Sequence, residues 1–265
     1  MRKFVWCLFL LILIPLFILQ PAFAEMDWEK VMIKVSDTDQ TKLADLLKNE
    51  LYALQYDENR TVGDFLKSNF DQESKLINLL GEYRLTDQQY LTDGSIEYVY
   101  QLALNNKIMK LLLPEVKPVK LVVPMLCPYC GQEWPEGKPI PEGMKLIPKQ
   151  IESAEYTGII IDCRSLNIKP CLFPKIHNEI LEEVYSINFA DLRHVVDKGL
   201  VLYTTQDLYN HPRIGYNPLR IQAIGVSGVK QSNIKISSFD ARRIHGSKKN
   251  LQLLKECCVA IIFGP

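Results

Sequence analysis

The stretch YTGIIIDCRSLNIKPCLFP, residues 156–174, decides how the second half of the chain is read. Residues 157–162 are β-branched and apolar, too few for an ordinary helix, and bounded by a polar turn, so they read as a strand. A second short run at residues 168–173 reads as its partner. With the turn centred on Asn167, Cys163 and Cys171 stand opposite each other across the hairpin. Facing positions bring Cα atoms to about 4.5 Å in the closer kind of pair, at the short end of disulfide geometry. Cys163 and Cys171 are therefore disulfide candidates, and the competing reading is two small buried thiols.

Outward from this stretch, the N-terminus sets the compartment. Met1, Arg2 and Lys3 open the chain, residues 4–19 form an almost unbroken apolar run, and Ala22-Phe23-Ala24 supplies a small-x-small cleavage pattern. This is the three-part layout of a secretory signal over residues 1–24, with cleavage expected before Glu25. An uncleaved anchor is the alternative, and only then does the chain meet a membrane; the run is short for a span and Pro15 interrupts it. Cleavage removes Arg2 and Lys3 and no acid, so the balanced 31 basic and 31 acidic residues become a net charge of −2. Nucleic-acid binding needs a clear basic excess, and none is present. Seven cysteines are present and Cys7 leaves with the signal; in an oxidising compartment the six that remain suggest disulfides before metal.

The next segment, residues 25–105, reads as α+β. Val31, Ile33 and Val35 alternate on a strand over residues 28–35. Leu43, Leu46, Leu47, Leu51 and Leu54 form one stripe of a helix over residues 41–54. Thr61-Val62-Gly63-Asp64 has the form of a capping box with Asp in place of Glu and opens a second helix; residues 72–80 make a third. Thr92-Asp93-Gly94 then joins two alternating strands, residues 82–91 and 95–104. A helical layer on one antiparallel sheet follows from that order.

The stretches TVGDFLKSNF (residues 61–70) and LINLLGEYRLTDQQYLTDGSIEYVYQLAL (residues 76–104) carry a resemblance. They resemble the domain shared by the 20-kDa-type outer-membrane lipoproteins and the N-terminal part of flagellar assembly protein T. The matching residues are Thr61, Asp64, Phe65, Tyr90, Leu91, Asp93, Gly94, Ile96 and Glu97, within residues 38–105. The resemblance implies a dodecin-like β-α-β-β fold, a place in the cell envelope and no catalytic residues. No cysteine stands at the expected mature N-terminus to carry a lipid. Residues 156–265 resemble the C-terminal extension of larger exported relatives of the same group, in which small residues usually stand where Cys163 and Cys171 are found. That part reads as a second small mixed α/β domain. Its strands are expected at residues 156–176, 201–205, 217–226 and 258–263, and its helices at 238–244 and 250–256.

Between the two lies a segment, residues 106–155, with eight prolines, expected as extended linker without regular helix. It contains Cys127-Pro128-Tyr129-Cys130-Gly131. Three readings stay open for Cys127 and Cys130: one knuckle of a zinc site, a thiol–disulfide motif, or a structural or idle pair. A zinc site needs further ligands, such as Cys257, Cys258 or a histidine. His177, His194, His211 and His245 are scattered, and Asp162 with Arg164 reads as a structural charge pair. No phosphate loop, dinucleotide fingerprint or nucleophile elbow occurs. The expectation is a periplasmic or outer-membrane-associated, non-enzymatic interaction or assembly protein without a cofactor, whose partners are other envelope proteins and which is able to oligomerise. The alternative is a periplasmic thiol-redox or zinc-binding protein centred on Cys127 and Cys130.

Overall fold

A computed structural model describes residues 23–80, 85–119, 125–135, 137–149 and 154–264. The expected signal segment lies outside these residues, except for Phe23 and Ala24. The first half begins with β1 (Phe23–Asp27) and β2 (Met32–Asp37), an antiparallel hairpin. The expected strand over 28–35 is therefore shifted. The Asp27 carboxylate accepts the Lys30 N–H at 3.0 Å, and residues 28–31 form the turn. Trp28 leaves the strand and packs edge-on against Tyr203, 5.3 Å between ring centroids.

Three helices follow, α1 (Leu43–Ala53), α2 (Val62–Lys67) and α3 (Phe70–Leu80). Leu43, Leu47 and Leu51 lie on one side of α1 and are fully buried, as are Ile33 and Val35 on the facing side of β2. The Thr61–Asp64 capping box forms in both directions at the start of α2. Strands β3 (Leu85–Tyr90) and β4 (Ile96–Ala103) complete a sheet in the order β1-β2-β4-β3, antiparallel throughout. Gly94 takes φ +87° in the connecting turn, and the Asp93 carboxylate accepts the Ser95 N–H. The helical layer on an antiparallel sheet is as the sequence reads, with β1 added.

Residues 106–112, at the start of the expected linker, are not solvated chain. Helix α4 (Lys107–Leu112) precedes the first proline of the segment and buries Ile108, Met109 and Leu112. The Asn106 N–H donates to the Val196 carbonyl, and the Val119 N–H to that of Asn188. Apolar spacing within this one turn and a half outweighs the prolines, because all of them lie beyond it. Further on, β5 (Met125–Leu126) and β6 (Ile147–Pro148) form a minimal antiparallel ribbon.

The expected hairpin over residues 156–176 does not form. Strand β7 (Ile159–Cys163) is instead an inner strand of a parallel sheet. After it come β8 (Ile176–His177), β9 (Glu183–Tyr185), α5 (Leu192–Lys198), β10 (Leu202–Thr204), β11 (Leu219–Gln222) and β12 (Gly225–Ser227). The chain ends with β13 (Asn233–Lys235), α6 (Ser238–His245), α7 (Lys248–Lys255) and β14 (Val259–Phe263). The parallel sheet runs β10-β14-β7-β11, and a mixed sheet runs β12-β13-β8-β9. Ile159, Ile160 and Ile161 are all buried, the pattern of a strand covered on both faces. Ile159 and Ile161 join the main core, while Ile160, Ala260 and Ile262 meet Leu208 and Ile214 on the other face. The expected strand over 217–226 is two strands in two sheets, turning at Ala223 and Ile224.

The chain after β7 leaves the sheet and binds the first half. The N–H groups of Leu172 and Phe173 donate to the carbonyls of Gln55 and Tyr56, and Phe173 packs edge-on against Tyr56 at 5.0 Å. Glu58 pairs with Lys175 at 3.3 Å and accepts from Asn233. One apolar core runs from Ile33 in the first sheet through Tyr56 and Phe173 to Val259 in the second. Among the described residues the architecture is α+β, with three four-stranded sheets, the two-stranded ribbon of β5 and β6, and helices against them. No helix among the described residues is long and apolar enough to cross a membrane.

Candidate functional site

The Cys127–Cys130 segment caps the ribbon of β5 and β6. The Cys127 N–H donates to the Gln132 carbonyl at 2.8 Å, and the Gly131 N–H donates to the Cys127 carbonyl at 2.9 Å. Gly131 takes φ +69°, so the chain reverses after one turn. The N–H groups of Tyr129 and Cys130 point at the Cys127 sulfur and, with the Cys130 side chain, hold its thiol below the ordinary value. Cys130 is exposed, Cys127 half-buried, and both are thiols.

This geometry separates two of the sequence readings. A thiol–disulfide motif places its first cysteine at the start of a helix. Here the left-handed glycine closes the turn and no helix follows. A reversed turn with backbone N–H groups aimed at a cysteine sulfur has the shape of one knuckle of a zinc site. Among the described residues no group of three or more His, Cys, Asp or Glu side chains is placed to hold a metal. Cys257, Cys258 and the histidines do not supply the other ligands.

Cys163 and Cys171 are not bonded to each other; both are thiols and both are buried. The disulfide expected from the hairpin fails because the hairpin is absent. The Leu166 N–H turns back to the Cys163 carbonyl, and residues 171–173 go to the first half of the chain instead. Burial pushes each thiol up to about 12. The Tyr203 hydroxyl accepts the Cys171 N–H at 3.3 Å. Cys257 is likewise buried, its thiol pushed up to about 11 by desolvation. These sulfurs are packing groups, protonated at neutral pH.

The histidines occupy separate places. His245 is held against the Val184 carbonyl at 2.8 Å and stacks on Phe189, and burial lowers its pKa. His177 is also lowered by burial, and its Nδ1 has no hydrogen-bond partner among the described residues. His211 Nδ1 accepts the Arg213 N–H at 3.2 Å. Arg213 is spent on backbone, donating to the carbonyls of Cys257, Lys198 and Gly199 at 2.7 Å each beside a hollow of about 390 Å³.

At the carboxyl ends of the parallel strands, Asp162 and Arg164 pair at 2.5 Å, as the sequence suggests. Arg164 also reaches Asp207 at 3.3 Å, and Arg220 reaches Asp207 at 3.7 Å. The Arg164 guanidinium holds the Asp162 carboxyl below its ordinary value. Asp207 and Arg220 carry no local sequence signal: Arg220 arrives on β11 beside β7, and Asp207 on the chain that follows β10, held to the sheet through β14.

A cleft of about 440 Å³ opens where the β1–β2 turn meets the ends of β10 and β14. Trp28, Tyr203 and Phe263 form its aromatic wall, with Tyr203 edge-on to both others. Glu25, Asp27, Glu29, Lys30 and Lys34 charge its rim. The carboxyl end of a parallel sheet is the usual place for a ligand in such architectures. None of the cleft residues was singled out by the sequence, because its walls come from segments far apart in the chain.

Fold and sites together define an α+β protein in which a helix-covered antiparallel sheet is fused to a parallel sheet and carries an exposed two-cysteine knuckle. Residues 158–265 match the model of the family described as Treponema pallidum Tp0624, second domain. The match starts one residue before β7 and spans the parallel and mixed sheets. No curated protein matches the chain.

Proposed function

We propose that the protein is a non-enzymatic interaction or assembly module of the cell envelope, exported and periplasmic or outer-membrane-associated, that binds other envelope proteins through a sheet edge. The observation that carries this reading is β3. It ends its sheet, it pairs only with β4 among the described residues, and all six of its residues are exposed. An edge strand of this kind offers a row of backbone donors and acceptors to an added strand. Tyr90 and Leu85 stand exposed on it, and Phe70 and Ile77 stand exposed two turns apart on α3. The envelope assignment rests on the signal-like N-terminus and on the resemblance of residues 38–105 to envelope lipoproteins and to flagellar assembly protein T, from which a flagellar role is inherited.

A photo-crosslinking residue at Tyr90, with a matched one at Tyr216 on the second half, tests the reading in the native cells. The expected result is discrete adducts from Tyr90 alone, abolished by Leu85→Lys, with the protein in the envelope fraction. Identical patterns from both sites, or a cytoplasmic location, would sink the proposal.

A second reading, zinc binding by Cys127 and Cys130, is favoured by the knuckle geometry over thiol–disulfide exchange. It is compatible with an assembly role and needs no other cofactor.

A further inference from the structure

Resting on the zinc reading, we propose that the knuckle is half of a metal site completed by a second copy of this chain, so that one Zn²⁺ held by Cys127 and Cys130 of each copy joins two molecules. The argument starts from a shortage of ligands. Zinc in a structural site takes four, and one chain presents two among its described residues. Among the described residues nothing beside the pair makes up the difference, and the adjacent Glu133 is paired with Lys149. Two identical knuckles related by a twofold axis through the ion supply four thiolates, and closed twofold pairing is the commonest form of self-association.

Accessibility points the same way. A knuckle whose remaining ligands come from its own chain sits against them. This one stands at the tip of a two-stranded ribbon, with residues 128–133 exposed and Tyr129 83% exposed. Cys130 is thus open to a second molecule, with the half-buried Cys127 beside it at the same tip. The chemistry is a ligand exchange without electron transfer. Four Zn–S bonds replace the bonds of the hydrated ion to its waters, which are released, four thiol protons go to water, and the metal remains divalent. The resulting tetrathiolate site carries two net negative charges, and the N–H groups of Tyr129 and Cys130 aimed at the Cys127 sulfur of each copy offset part of that charge.

The test uses the purified, reduced protein titrated with zinc chloride, with native mass spectrometry and sedimentation read in parallel. The expected result is half a zinc per chain and a dimer that a chelator dissociates. Cys127→Ser and Cys130→Ser should each remain monomeric, with at least tenfold less zinc retained and an unchanged melting temperature in chelator. Cobalt in place of zinc should give the absorption of a tetrahedral four-thiolate site, which two thiolates with water ligands would not. One zinc per monomer would overturn the shared site and leave the zinc reading standing. No zinc at all would remove both. A dimer that survives chelator and both serine variants would show that the knuckle does not join the copies, again overturning the proposal.

Discussion

Gly158 is the residue whose replacement the surrounding structure forbids most plainly. A Cβ there would lie 2.6 Å from the Ile214 carbonyl oxygen and 2.8 Å from the Ile214 Cα, both backbone atoms. The turn over residues 211–215 packs directly on the entry to β7, and the Thr157 hydroxyl accepts the Asn217 N–H at 2.9 Å beside it. Gly158→Ala is expected to cost about 1–3 kcal/mol, read as a lower urea midpoint. Gly225→Ala is the control, since the nearest atom to its Cβ is a lysine side-chain carbon at 3.9 Å, and it should change little. The cysteines make a second test at this scale. The thiolate is the reactive form, and a thiol held below its ordinary value is deprotonated at a lower pH than usual. In chelator, Cys127 should be alkylated rapidly in the native protein, with its rate profile displaced to lower pH than that of a model thiol. Cys163, Cys171 and Cys257, buried with thiols pushed up to about 12, 12 and 11, should react only after unfolding. Rapid native labelling of Cys171 would contradict its placement.

Among the elements, α2 shows how a short helix is secured by its first turn. It has six residues, too few to be stable from propensity alone. The Thr61 hydroxyl accepts the Asp64 N–H, and the Asp64 carboxylate accepts the Thr61 N–H at 3.0 Å. Val62, Phe65 and Leu66 are then buried beneath it. Thr61→Ala should cost about 1 kcal/mol in a denaturation midpoint, and Thr61→Ser should restore most of it. This element was legible because its signal is contained in four consecutive residues. The same holds for the turn at Asp93-Gly94 and for α6 and α7, which begin behind Ser237 and Ser247, each accepting an N–H three residues on. β8 and β9 were not legible, since strands of two and three residues show no alternation to read.

On the scale of the whole molecule, two halves that read as separate domains share one core. Tyr56 sits at the joint, fully buried, stacked on Phe65 at 4.4 Å and edge-on to Phe173 at 5.0 Å, with its hydroxyl donating to the Leu112 carbonyl. The expected consequence is a single cooperative unfolding transition for the described fold, observed alike by tryptophan fluorescence and by circular dichroism. Tyr56→Ala should cost about 3–5 kcal/mol and lower the stability of both halves together. Two separated transitions in the parent protein would contradict a common core. His245 adds a dependence on pH. Its folded pKa is lowered by burial, so the unfolded chain binds a proton before the folded one does. Its contribution is complete above the unfolded value near 6.5 and is lost as pH falls from there toward the folded value. His245→Gln should flatten that part of the stability curve.

The sequence by itself determined the features whose partners lie within a few residues: the capping box, the Asp-Gly turn, the amphipathic helices and the buried strand at the C-terminus. It also carried the α+β class, since helical and strand periodicities alternate along it. Only the tertiary structure decided which strands pair. Ile159–Cys163 is apolar enough to be buried on both faces, yet its neighbours are β11 and β14, more than fifty and nearly a hundred residues later. Parallel pairing leaves no turn between partners to read, so the nearest apolar run, residues 168–173, looked like the partner although it goes to Gln55 and Tyr56. The Arg164–Asp207–Arg220 network and the aromatic cleft of Trp28, Tyr203 and Phe263 come into being through the same long-range closure. Their residues are ordinary in sequence and meet only because the core brings distant chain together.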